Sequence, residues 1–221
     1  MRVEIDEHGM ISHARVRHAR STRIERGKRT VAITGIVVHQ TDADTSASSL
    51  NSYRQPGANG AHFLIDKDGT IYQTAAIYQR TNHVGKLQAR CLVIPKCKMS
   101  DFPPGVGPTE MHRIEMLKAP ADRYPSNMEA IGIEMVGRAR LPLGFKAVGD
   151  ESKWPIEKVR GKYGIFETPT AAQNQSLSWL VGVLQASMQI SADDVFRHPV
   201  VSRKNITEAQ GANWNLSLPT P

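Results

Sequence analysis

The chain has no apolar run approaching the roughly 20 residues that a bilayer-spanning helix needs, which argues against membrane insertion. Its opening segment, Met1 to Lys28, alternates charges and histidines and lacks the apolar core of a Sec leader. The expectation is synthesis in the cytoplasm and delivery to any other compartment by a route that uses no such leader. Cysteine is scarce: there are 2, Cys91 and Cys97, flanking Leu92-Val93-Ile94-Pro95-Lys96, and neither belongs to a CxxC pair. That spacing argues against a metal role for them. It leaves two states open, a short disulfide loop in an oxidising compartment or free thiols in a reducing one, and the pair hints at the periplasm. Zinc-finger spacing and basic strands interleaved with aromatics are also missing, so no nucleic-acid partner is indicated. The net charge of +7 draws a protein towards polyanions in general, anionic wall polymers and lipid surfaces included. It serves solubility equally well, and charge alone does not choose the partner.

What is present fits one sizeable core: 221 residues, 40% hydrophobic and 22% charged. Residues 1–29 read as a basic N-terminal lead-in with one short strand at Arg2-Val3-Glu4-Ile5. Ile33 to Val38 is β-branched and nearly continuous, as a buried strand is. Asp44 to Tyr53 reads as a short helix, capped by Thr45 or Ser46, with Leu50 and Tyr53 facing inward. Ala61-His62-Phe63-Leu64-Ile65, the turn Asp66-Lys67-Asp68-Gly69 and Thr70-Ile71-Tyr72-Gln73 spell a hairpin. Ala130 to Val136 is a further core strand. Thr168-Pro169 opens a helix with Pro at its first position and a buried stripe of Leu177, Leu180, Val181, Leu184 and Met188. Two long stretches, 96–127 and 141–166, read as irregular inserts in a domain covering 30–221. The sum is a single α/β domain with a mixed central β-sheet flanked by helices.

Among the 8 histidines, His39 stands out because it closes the strand Ile36-Val37-Val38. A ring held there points into the mouth of a cleft. Far downstream come His198 and then Glu208. Two imidazoles and a carboxylate are donors that a catalytic zinc takes, three from protein with a fourth position left open. The set predicts a zinc hydrolase with its cleft at one face of the sheet. The other histidines have plainer readings. His8, His13 and His18 sit in the polar lead-in and read as solvated, and His112 has no pattern to recommend it. His62, beside Ala61 and Phe63, reads as a buried, hydrogen-bonded histidine. His83 lies in the loop Thr81-Asn82-His83-Val84-Gly85, where Asn82 and His83 are placed to contact substrate.

Five segments then fall in order: Ile36-Val37-Val38-His39-Gln40-Thr41, Ala61 to Gly69, Asn82-His83-Val84-Gly85, Asn127 to Glu134, and Arg197-His198-Pro199 followed by Glu208. Together they resemble the zinc-dependent N-acetylmuramoyl-L-alanine amidases, a family shared by phage amidases, wall-recycling amidases and peptidoglycan-recognition proteins. The resemblance spans Val31 to Trp214 and implies a role for each matched position. His39 and His198 match the two histidine ligands of Zn2+. Glu208 stands where relatives carry Asp or Cys, a departure that requires a shifted backbone for its longer arm; water is the alternative third donor. Glu134 matches the glutamate that wall-recycling relatives place near the metal's water, although an outward strand charge is its plain alternative. Phage-type relatives have a tyrosine where this chain has Ala61, so proton transfer should fall to Glu134. Lys204 keeps the phage-type spacing for an oxyanion-stabilising lysine, whereas the recycling-type spacing falls on Ile206.

The resemblance implies hydrolysis of the amide between the muramic acid lactyl group and L-alanine of peptidoglycan. Two settings fit: an antibacterial wall-degrading effector, injected into a rival's periplasm by a type VI-like apparatus and blocked by an immunity protein, or a phage endolysin. The competing class is a zinc-free peptidoglycan-binding module of the recognition-protein type. A zinc peptidase of another fold is disfavoured by the missing H-E-x-x-H pattern.

Overall fold

Six strands of the computed structural model, which describes residues 3–94 and 96–216, form the central sheet. They are β1 (Val16–His18), β2 (Gly35–Gln40), β3 (Phe63–Ile65), β4 (Ile71–Gln73), β5 (Ala130–Met135) and β6 (Val195–Arg197). Their order across the sheet is β6-β2-β5-β3-β4-β1, with only the β3–β4 hairpin antiparallel. The sheet is therefore mixed, as expected. Gly69 supplies the positive φ (87°) that closes the hairpin turn.

Alternation along the strands sets the two faces. Ile36 and Val38 of β2, with Ile131, Ile133 and Met135 of β5, pack against the helix Ala171–Met188 through Leu177, Leu180, Val181 and Leu184. Val37 and Ala130 face the other way, onto Val84, Leu87, Tyr124 and Val201. By the same alternation His39 and Glu134 lie on the face away from the long helix, and they are direct register partners. The chemistry-bearing face of the sheet is thus fixed by which residues the helix buries.

Several sequence expectations are corrected. Residues 1–29 are more than a lead-in with one short strand. The short strand is Glu4–Ile5, with Arg2 outside the described residues. In addition β1 adds a parallel edge to β4, Glu25–Lys28 pairs with Gln79–Thr81, and Ile11 and Ile24 are fully buried. Isolated apolar residues among charges gain burial only through long-range pairing, which local periodicity does not encode. The stretch 96–127 contains the helix Pro108–Met116, entered through Pro108, and is tied near its start by a disulfide between Cys91 and Cys97. The stretch 141–166 contains the helix Ile156–Tyr163 and a strand, Ile165–Phe166, paired with Ala139–Arg140. The long helix opens later than expected, because Thr170 and Gln173 form a capping box and leave Pro169 outside. In the helix Ser46–Tyr53, Thr45 is the cap; Ser46, Ser49 and Tyr53 are buried, and Leu50 only partly so. Among the described residues, no helix is long and apolar enough to cross a membrane.

One buried ion pair holds the turn that leads into β5. The Arg123 guanidinium lies 2.7 Å from Glu129 Oε1, while Ser126 donates to Glu129 Oε2 from its backbone N–H and its hydroxyl at 2.9 and 2.6 Å. Burial favours the neutral acid, yet these bonds prevail and hold the Glu129 pKa below its ordinary value. A depressed carboxylate pKa stabilises the fold above the unfolded-state value and loses that contribution as pH falls through the folded one. Glu129→Ala is expected to cost about 3–5 kcal/mol, because it strands a buried guanidinium. Denaturant melts of both proteins at neutral pH and again in acid check this: the gap should narrow in acid.

Candidate metal centre

His39, next to last in β2, is almost fully buried, and β6 runs parallel beside that strand, pairing Arg197 with Val38. The next residue, His198, therefore arrives next to His39. It opens a short helix, His198–Val201, that follows the strand without a loop and has Pro in its first turn. The two imidazole centroids are 4.2 Å apart. The chain then returns to bring Glu208 beneath both rings. Its Oε1 lies 2.8 Å from His198 Nδ1 and 3.5 Å from His39 Nδ1. Donor atoms of the three side chains all lie within 4.8 Å of one another.

The backbone carrying Glu208 is anchored on both sides. Arg197 donates to the carbonyls of Ala209 and Ala212 at 2.9 and 2.7 Å. Ala209 N–H donates to Gln40 Oε1 at 2.9 Å, and Ala209 itself adopts a positive φ of 55°. From the other side, Asn205 Nδ2 donates to the Gly164 carbonyl at 2.6 Å, and Phe166 N–H donates to Thr207 Oγ1 at 3.2 Å. The backbone around Glu208 is thus held in part by residues of the 141–166 stretch.

The donor set fits a divalent cation. His198 Nε2 is buried without a hydrogen-bond partner among the described residues. Burial, aided by the neighbouring His198, drops the His39 pKa to about 4, so its ring is neutral at neutral pH. Burial works against ionisation of Glu208, but its neighbours, led by the 2.8 Å hydrogen bond with His198, outweigh it and hold the pKa at about 2. A neutral imidazole beside an ionised carboxylate is the protonation state in which such side chains bind metal.

A cleft of about 540 Å³ opens over these groups, lined by Asn82, His83, Glu134, Phe166, Lys204 and Asn205 among others. Glu134 Oε2 is buried with no hydrogen-bond partner among the described residues. Burial and then the charge of Glu208 push its pKa up to about 8, against the opposing pull of Lys204. Lys204 is exposed at the cleft, and Asn82 is exposed on its wall. The His83 ring lies against His39 instead, its Nδ1 2.9 Å from His39 Nε2. His62 is fully buried and hydrogen-bonded: Gly132 N–H donates to its Nδ1 at 3.0 Å, and its Nε2 faces the Gln79 carbonyl at 3.0 Å.

A family model described as N-acetylmuramoyl-L-alanine amidase matches residues 28–210. The chain belongs to that family. Among solved structures it is similar to the endolysin amidase LysCS from Clostridium intestinale, at 19% identity over 85% of this chain and 83% of that one, with a TM-score of 0.45. It is also similar to a structure titled as an AmpD derivative, at 17% identity over 90% and 88%, TM-score 0.48. A third is a structure titled PGRP-Hd from Alvinella pompejana, at 17% identity over 81% and 80%, TM-score 0.39. No curated protein matches.

In this amidase the structure brings together every residue that sequence reasoning assigned to the site: His39, His198, Glu208, Glu134, Lys204, Asn82 and His83 all line one cleft. It adds residues that reasoning missed. Asn127 accepts at Oδ1 from the N–H groups of His83 and Val84, at 2.9 and 2.7 Å, and donates to the Val84 carbonyl at 2.9 Å. Phe166 and Gly161 reach the cleft from the 141–166 stretch. Nothing local marks Asn127 as a clamp, since its partners lie far away in the chain. A stretch with no clear period gave no signal for Phe166.

Proposed function

We propose that this amidase hydrolyses the amide between the muramic acid lactyl group and L-alanine in peptidoglycan, with zinc held by His39, His198 and Glu208. The convergence of those three donors in the cleft that Glu134 also lines, its Oε2 without a hydrogen-bond partner among the described residues, is the observation that carries the reading. Bound there, zinc would supply Lewis acidity and a water activated at neutral pH.

The remaining steps belong to the chain's own residues. Glu134 accepts a proton at Oε2 and later delivers it to the departing L-alanine amine, so that one carboxyl serves as base and then acid. In the metal-free chain, burial and then the Glu208 charge raise the Glu134 pKa to about 8, and a cation held beside it would draw that value back down. Lys204 offsets the negative charge that develops on the carbonyl oxygen. Asn82, on the cleft wall, contacts the peptide. The Cys91–Cys97 disulfide supports action in an oxidising compartment, the periplasm. Lys204→Met is expected to lower kcat about 100-fold, in the range for losing one oxyanion-stabilising group; turnover of a defined muropeptide measures it.

Mass spectrometry of digested sacculi tests the proposal. The expected products are free stem peptides beginning at L-alanine and glycan strands bearing bare lactyl groups, with none released by His39→Ala. A zinc-loaded wild-type protein that leaves this amide intact would refute it.

A further inference from the structure

His83 touches His39 but lies outside the group of three converging donors. We propose that His83 is a positioning residue that fixes the tautomer and ring orientation of His39, leaving His39 Nδ1 bare and aimed at the cation. The proposal rests on the zinc reading above.

The tautomers follow from the acceptors around the two rings. His83 Nε2 lies 3.4 Å from the Ala130 carbonyl oxygen, which can only accept, so Nε2 carries the proton. Its Nδ1 is then an acceptor and takes the Nε2–H of His39 at 2.9 Å. With its proton committed to that side, His39 turns a bare Nδ1 towards Glu208 Oε1 at 3.5 Å. Two acceptors then face each other in a buried place, a conflict that a cation between them resolves. The reverse tautomer of His83 would set a lone pair against the Ala130 carbonyl and drive the His39 proton onto the atom meant for the metal.

The imidazole is held rigidly enough to enforce this choice. Its ring lies on the bare surface of Gly132 in β5, where a Cβ would come within 2.7 Å of His83 Cγ and Nδ1. Asn127 clamps the backbone of residues 83 and 84 from the far side. The two rings meet edge to face, at 82° with centroids 5.1 Å apart. A partner that accepts from a ligand histidine's second nitrogen sets the tautomer and raises the basicity of the first.

Zinc affinity, read by competition with a chromogenic chelator, tests the proposal without relying on turnover. His83→Ala should bind zinc about 10–100-fold more weakly than wild type. His83→Asn, whose Oδ1 can stand near the lost Nδ1, should recover most of that loss. Wild-type affinity in His83→Ala, or His83→Asn as weak as His83→Ala, would overturn the assignment. A wild type that binds no zinc would instead sink the reading on which it rests. Should His83→Ala fail to fold, long-range proton–nitrogen spectra of the metal-free wild type decide. His39 protonated on Nε2 supports the proposal, and His39 protonated on Nδ1 overturns it.

Discussion

Glu134→Gln is expected to lower kcat by about 100- to 10,000-fold, the range for losing a general acid–base group, while zinc content stays at the wild-type level. The substitution keeps the shape and removes the ability to take a proton. Glu134 is paired in register with His39 across β2 and β5, so its carboxyl sits beside the donor cluster without joining it. Its Oε2 lacks a hydrogen-bond partner among the described residues, which leaves that atom free for a proton in transit. An outward strand charge, the plain alternative, would be exposed and its loss harmless. Steady-state turnover of a defined muropeptide, with elemental analysis of the same sample, separates the two. A variant retaining most of its kcat would return Glu134 to the plain alternative.

The second large effect is expected from His198→Ala, which should lose stoichiometric zinc and drop to background activity. The substitution leaves two protein donors where a catalytic site has three. It also strips Glu208 of its shortest hydrogen bond, 2.8 Å to His198 Nδ1, so a buried carboxylate held at about pKa 2 should titrate upwards. Calorimetric titration with zinc checks the first effect. The second appears as a shift of the Glu208 carboxyl titration towards higher pH in carbon-detected spectra of the metal-free proteins. Tight zinc binding by this variant would mean that the ion sits elsewhere.

Much of the site is legible in the chain because its chemistry rides on regular elements. His39 could be placed because Ile36-Val37-Val38 is an unmistakable buried strand and His39 lies near its C-terminal end. Glu134 follows from the same logic on β5. What stayed hidden depends on pairings between distant residues. Ile11 is buried in the main core and Ile24 against Tyr53 and Ala75, partners distant in the sequence. The backbone under Glu208 is held by Gln40, Gly164 and Arg197, none adjacent to it in sequence. His83 looked like a substrate contact because a glycine-flanked loop suggests exposure. Its ring lines the cleft and also packs onto Gly132 and His39, with its backbone held by Asn127 from another loop. Capping decided the start of the long helix, where Thr170 and Gln173 prevailed over Pro169.

Zinc titration into chelator-stripped protein, followed by lactyl-amide cleavage, probes the shared ion most directly. Activity should be absent from the stripped chain, return in proportion to added zinc and level off at one ion per molecule. Full cleavage by the stripped protein would contradict a centre built by His39, His198 and Glu208.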